Sequence, residues 1–101
     1  MGACDFKNFS VGENAEQAFR SCVEEAQYDH GHAGYTGTIA EKNDFVMIDL
    51  PDSIDKSDMP AINEFAEKLI DDEDERVDDK WGPAGCIETS KGYLFFGWAS
   101  E

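Results

Sequence analysis

Two stretches of this chain space their apolar residues for a helix, and strand-like runs separate and follow them; no other feature narrows the fold as much. In the first stretch Ala15, Ala18, Phe19, Cys22, Val23 and Ala26 recur at i, i+3, i+4. Asn14 stands as N-cap with Gln17 three positions on, the spacing of a capping box. A helix is predicted from about Ala15 to Tyr28, ended by Gly31 and Gly34. In the second stretch Ile62, Phe65, Ala66, Leu69 and Ile70 form one stripe. Ser57 or Asp58 caps it, and Pro60 sits in its first turn, where a missing N–H costs little. Val77, seven residues past Ile70, would extend the stripe and with it the helix.

Between these helices lie two β-rich runs, Tyr35 to Ala40 and Asp44 to Leu50, joined by Glu41-Lys42-Asn43 at hairpin length. Val46, Ile48 and Leu50 share one face of the second run, with Phe45 and Met47 on the other. A last hairpin, Cys86 to Thr89 and Tyr93 to Trp98, turns at Ser90, Lys91 and Gly92, and a short strand is expected at Phe6 to Val11. The aromatic set Tyr93, Phe95, Phe96 and Trp98 is most simply a strand with one face in the core, and the alternative is that its opposite face serves a partner. The expected fold is α+β: one domain over residues 1–101, an antiparallel sheet with two helices packed on one face, in the order (β)-α-β-β-α-β-β.

The charge balance decides which partners suit this scaffold. Twenty-three acidic residues against eight basic ones leave a formal net charge of −15. Such a surface repels DNA, RNA and anionic lipid and attracts cationic proteins or metal ions, so direct nucleic-acid binding is not expected. No window approaches the roughly 20 apolar residues of a membrane span, and MGACDFKNFS has neither a signal-peptide pattern nor Ser or Thr at position 6 for myristoylation. Cys4, Cys22 and Cys86 are odd in number and lack C-x-x-C spacing, which fits a reducing cytoplasm better than a disulfide framework.

The charge is concentrated. Residues 49–79 hold 13 acids and 3 bases, and LIDDEDERVDD, Leu69 to Asp79, carries most of that excess. Acids near a helix's carbonyl end cost about 0.3 to 1 kcal/mol each at low salt, so the run works against its own helix and calls for a reason outside folding. One reason is mimicry of a phosphate backbone, since carboxylates on successive helix turns stand about 5 to 6 Å apart. The candidate partner-binding residues are Asp52, Asp55, Asp58, Glu64, Glu67, Asp71, Asp72, Glu73, Asp74, Glu75, Asp78 and Asp79. The alternatives are a plain solvated face, and the surface of a salt-adapted protein or a weak divalent-cation binder. A calcium loop is not indicated, because the run has no central glycine.

A second constellation is Asp29, His30 and His32 in YDHGHAGYTG, which could ligate zinc or iron. It needs further ligands, and Cys22 and Cys86 are the only soft candidates. The other reading is a glycine-rich turn with His30 near the helix's carbonyl end. Neither a G-x-S-x-G elbow nor a phosphate loop is present, so no catalytic residue, cofactor or metal is assigned and a non-enzyme is expected.

HGHAGYTGTIAEK, His30 to Lys42, with the preceding FRSCVEEAQYDHG, resembles a recurrent pattern in small uncharacterised proteins of bacteriophages and related mobile elements. The pattern is an amphipathic helix, a Gly-His turn and a G-Y-T-G-T-I strand, and the resemblance covers roughly residues 1 to 50. Those proteins have no established activity, so the resemblance implies an origin and no residue roles. Small acidic phage proteins without catalytic motifs are often inhibitors of host defence, including anti-CRISPR and DNA-mimicking antirestriction proteins. The resemblance and the charge together imply a non-enzymatic inhibitor whose carboxylate face blocks the basic channel of a CRISPR effector or another nucleic-acid-binding defence enzyme. The alternatives are a metal module on Asp29, His30 and His32, and an acidic accessory protein that binds a host protein through an aromatic or sheet-edge surface.

Overall fold

The computed structural model describes residues 3–30 and 37–100. In chain order they form β1 (Ala3–Ser10), α1 (Ala15–His30), a 3₁₀ turn (Ile39–Glu41), β2 (Phe45–Met47), α2 (Met59–Asp71), β3 (Ala84–Glu88) and β4 (Tyr93–Ser100). The four strands make one sheet in the order β1-β4-β3-β2. β4 runs antiparallel to both β1 and β3, while β2 joins β3 in parallel. The class is α+β with two helices and a mostly antiparallel sheet. The parallel pair corrects the all-antiparallel expectation, and its cause is connectivity. A parallel partner needs a long crossover, which α2 and its flanking loops supply between β2 and β3.

Local signals in the sequence explain the helix starts. Asn14 accepts the Gln17 N–H at 2.8 Å and so satisfies an orphan donor as expected, while the Gln17 side chain accepts the N–H of Glu13, one residue before the cap, at 2.6 Å, so the reciprocal half of the expected box is shifted by one residue. Asp58 caps α2 by accepting the Ala61 N–H at 3.2 Å, with Pro60 in the first turn. Element order follows expectation, with a 3₁₀ turn standing where the first strand of the Tyr35–Ala40 hairpin was expected to end; Tyr35 and Thr36 lie outside the described residues. The Thr38 hydroxyl accepts the Ala40 N–H at 3.2 Å and starts that turn, and Ile39 is driven fully into the core.

The two helices lie on opposite faces of the sheet, not on one. Along β4 the side chains alternate: Tyr93, Phe95 and Ala99 pack with Phe19, Cys22 and Ala26 of α1, while Leu94, Phe96 and Trp98 pack with Ile62, Ala66 and Ile70 of α2. Consecutive residues Leu94, Phe95 and Phe96 are 2%, 0% and 0% exposed. A strand apolar on both sides has to be covered on both sides, so neither face of the aromatic strand is left for a partner. Phe95 centres the α1 layer, with Phe19 and Phe45 ring centroids 5.4 and 5.8 Å away. In the α2 layer, a Cβ at Gly85 would stand 2.7 Å from the Phe96 ring and 2.8 Å from Val77, so glycine there is what lets Val77 reach the sheet. As expected, Ile48 is buried with Val46 and Leu50 on the α2 side, and Phe45 turns to the α1 side.

Candidate functional site

The acidic run does not continue α2; the helix ends at Asp71 and the chain turns. Asp72 caps it, the Glu73 N–H donates to the Ile70 carbonyl at 3.2 Å, and the Asp74 N–H donates to the Leu69 carbonyl at 3.0 Å. This pair of bonds is a Schellman closure, which requires a left-handed residue at Glu73, and Glu73 has φ 54°. Like charge at the carbonyl end is part of the reason the helix stops here.

Beyond the closure the loop folds on itself. The Asp74 carbonyl accepts N–H groups from Val77 and Asp78, each at 2.9 Å. Its carboxylate takes Arg76 in a two-pronged pair, Nε at 2.9 Å and Nη2 at 3.0 Å, and also the Arg76 backbone N–H at 3.0 Å. Those bonds hold the Asp74 carboxyl below its ordinary value and push the Arg76 guanidinium up. Val77 then enters the core, 1% exposed, as the sequence spacing required, although through a loop and not through a helix.

Lys42 anchors the far end of the run. Its side chain is only 3% exposed, and its ammonium donates to the carbonyls of Gly82 at 2.8 Å, Asp79 at 3.2 Å and Lys80 at 3.3 Å. An ammonium has three N–H donors, and each has a carbonyl here. Burial lowers the Lys42 pKa, with the neighbouring Asp79 charge acting the other way. Asp79 also accepts the Trp81 N–H at 2.9 Å. Residues 72–82 are thus tethered at four points: the Schellman closure, the Asp74–Arg76 pair, Val77 and Lys42.

The twelve candidate acids separate into working parts of the fold and free charge. Asp55 accepts from the Ser57 hydroxyl at 2.6 Å and its N–H at 2.8 Å, which lowers its pKa. Asp58 is the α2 cap, Glu67 pairs with Lys7 of β1 at 2.7 Å, and Asp74 and Asp79 shape the loop. Asp52, Glu64, Asp71, Asp72, Glu73 and Asp78 are exposed, and their carboxylates have no hydrogen bond or ion pair among the described residues. Glu75 is exposed beside Arg76. α2 has 13 residues, so the acids before it and those after it stand about 20 Å apart at 1.5 Å per residue, with Glu64 and Glu67 on the helix between them.

For the second constellation, Asp29 is exposed near the end of α1, His30 is the last residue of that helix, and His32 lies outside the described residues. Cys22 and Cys86 are buried in the α1 layer, where burial pushes their thiols up to about 11 and about 12. A metal ligand or nucleophile must ionise, which that burial opposes. No group of three metal-binding side chains occurs among the described residues, and no helix among them is long and apolar enough to cross a membrane. Lys42 and Arg76 escaped the sequence reading. Lys42 looked like hairpin polarity, although a lone base between Glu41 and Asp44, in a chain with few bases, was a signal of sorts.

Compared with protein-family profiles, curated proteins and solved structures, the chain matches none.

Glu73 provides a direct check on the closure. A non-glycine residue in the left-handed region costs about 1–2 kcal/mol, and glycine's extra freedom in the unfolded chain returns roughly half of that. Glu73→Gly should raise the unfolding free energy by about 0.5–1 kcal/mol, read as a higher denaturant midpoint. A lower midpoint would mean that residues 72–74 do not close as described.

Proposed function

We propose that this protein is a non-enzymatic inhibitor of a nucleic-acid-handling host defence complex, acting in the manner of an anti-CRISPR protein inside the host cytoplasm. Its carboxylates stand where phosphates would stand in the Lys/Arg channel of a CRISPR effector or a related enzyme. The observation that carries the reading is the fourfold tethering of residues 72–82. A solubility tail needs charge and no fixed shape, whereas a phosphate mimic needs charges at set positions. Asp71, Asp72, Glu73, Glu75 and Asp78 form the principal array. Asp52, Asp55 and Asp58 form a second array about 20 Å away, a span of roughly six base-pair rises at 3.4 Å each. A net charge of −15 supplies the steering toward a basic surface. The resemblance of residues 1 to 50 to phage proteins supports the biological setting by association.

The test is competition. The protein is titrated into a basic nucleic-acid-binding effector carrying a labelled oligonucleotide, alongside a variant with Asp71, Asp72 and Asp78 changed to Asn and Glu73 to Gln. The native chain should displace the oligonucleotide and the variant should do so poorly. Equal displacement by both contradicts the proposal.

A further inference from the structure

Beside its buried stripe α2 carries a second apolar row whose inner edge, at Phe65 and Leu69, packs against the core and whose outer edge remains accessible. Ala61, Phe65 and Leu69 are spaced i, i+4, i+8 along the helix, next to the buried stripe Ile62, Ala66 and Ile70, and all three are only partly buried. Pro51 and Ile54 of the preceding loop form the opposite wall, which makes a groove with Glu64 and Asp72 on its rim and Lys68 between them. At 1.5 Å per residue the stripe runs about 12 Å, roughly two turns of a docked helix. The groove also joins the two acidic ends of α2.

We infer that this groove takes a basic amphipathic helix of a partner protein, its apolar side seated on Phe65 and Leu69 and its Lys or Arg side chains reaching Glu64, Asp72 and the acids beyond. The inference deepens the proposed function, and rests on it, by giving the basic partner an apolar anchor as well as a charge. Charge complementarity selects the occupant. Residues 49–79 carry 13 acids against 3 bases, so an acidic segment would be repelled from the rim, a neutral one would gain no charge attraction there, and a second copy of a chain with net charge −15 would be repelled as a whole. The apolar floor selects an amphipathic segment over a purely cationic one, and helix-in-groove docking uses anchors at i, i+3/i+4 and i+7.

Two probes separate the contributions: a synthetic amphipathic helix of leucine and lysine, and an oligolysine of equal charge. At about 0.5 M salt, where charge attraction between exposed groups is largely screened, the amphipathic helix should bind at least about tenfold more tightly than oligolysine. Phe65→Ser should erase that excess. Ala61→Gln, which fills the groove without removing a core side chain, should erase it too, with oligolysine binding at low salt unchanged in both variants. Equal affinity for the two probes, or an excess that survives both variants, overturns the groove assignment and leaves the charge reading standing. Failure of both probes to bind even at low salt overturns the groove assignment and the charge reading together.

Discussion

Lys42→Met should lower the unfolding free energy by about 2–3 kcal/mol, because it removes three N–H donors from carbonyls that the fold has turned toward them. Methionine keeps the stem's apolar bulk, so the loss belongs to the ammonium and not to a cavity. The loss is smaller than the 3–5 kcal/mol typical of a broken buried ion pair, because removing the charge also removes its desolvation cost. That cost appears in the lowered Lys42 pKa and fixes the pH dependence. Between the lowered folded value and the ordinary 10.5, the unfolded chain holds a proton that the folded chain has released, so native stability gains with rising pH in that window. The variant has no such gain, and the difference between the two proteins should widen toward pH 10.5. Cys22 and Cys86, raised to about 11 and about 12, act in the opposite direction above pH 9.0 but affect both proteins alike and cancel in the difference. Paired denaturant melts across this range check it. A gap that is absent, or that narrows with pH, contradicts the description of Lys42.

Neutralising Asp71, Asp72, Glu73 and Asp78 should weaken binding to a basic channel by about 10- to 100-fold at low salt, mostly through slower association. These four are chosen because their carboxylates hold nothing in the fold. Changing Asp74 instead would confound charge with shape, since it organises Arg76, Val77 and Asp78. The variant should melt no lower than the native chain, because removing like charge near the end of α2 relieves repulsion. The gap in affinity should close as salt rises from about 0.01 M to about 1 M and the screening length falls from about 30 to about 3 Å. Association rates by surface plasmon resonance at several salt concentrations give this reading. A loss that persists undiminished at high salt would place the effect in packing and not in steering.

Both helices, their caps and the core faces of β2 were legible in the sequence, since period and cap chemistry are local properties. Asn14, Gln17, Asp58 and Pro60 act as their types suggest. Placement of the helices was not legible from period alone, yet Leu94-Phe95-Phe96 held the answer: three consecutive buried apolar residues in a strand imply layers on both sides. The parallel β2–β3 pair was hidden because short connections suggest hairpins, and pairing between distant segments leaves no local trace. In the acidic run, Val77 was placed in the core from its spacing to Ile70, but a helix was inferred where a Schellman closure makes the same connection. That closure uses glutamate where glycine is usual, which removed the expected stop signal. The exposed acids were legible as charge; their division into free and structural groups depended on Arg76, Ser57, Lys7 and the Trp81 N–H, each brought in by tertiary contact or a local turn.

The central claim is that the acids after α2 are presented from an ordered backbone, and amide hydrogen exchange across residues 72–82 tests it most directly. The N–H groups of Asp74, Val77 and Asp78 donate to Leu69 and Asp74 carbonyls at 2.9–3.0 Å. They should exchange at least about a hundredfold more slowly than in an unstructured peptide, an opening free energy of about 2.7 kcal/mol or more. Exchange of all three at unstructured-peptide rates would show a floppy acidic tail and contradict the account.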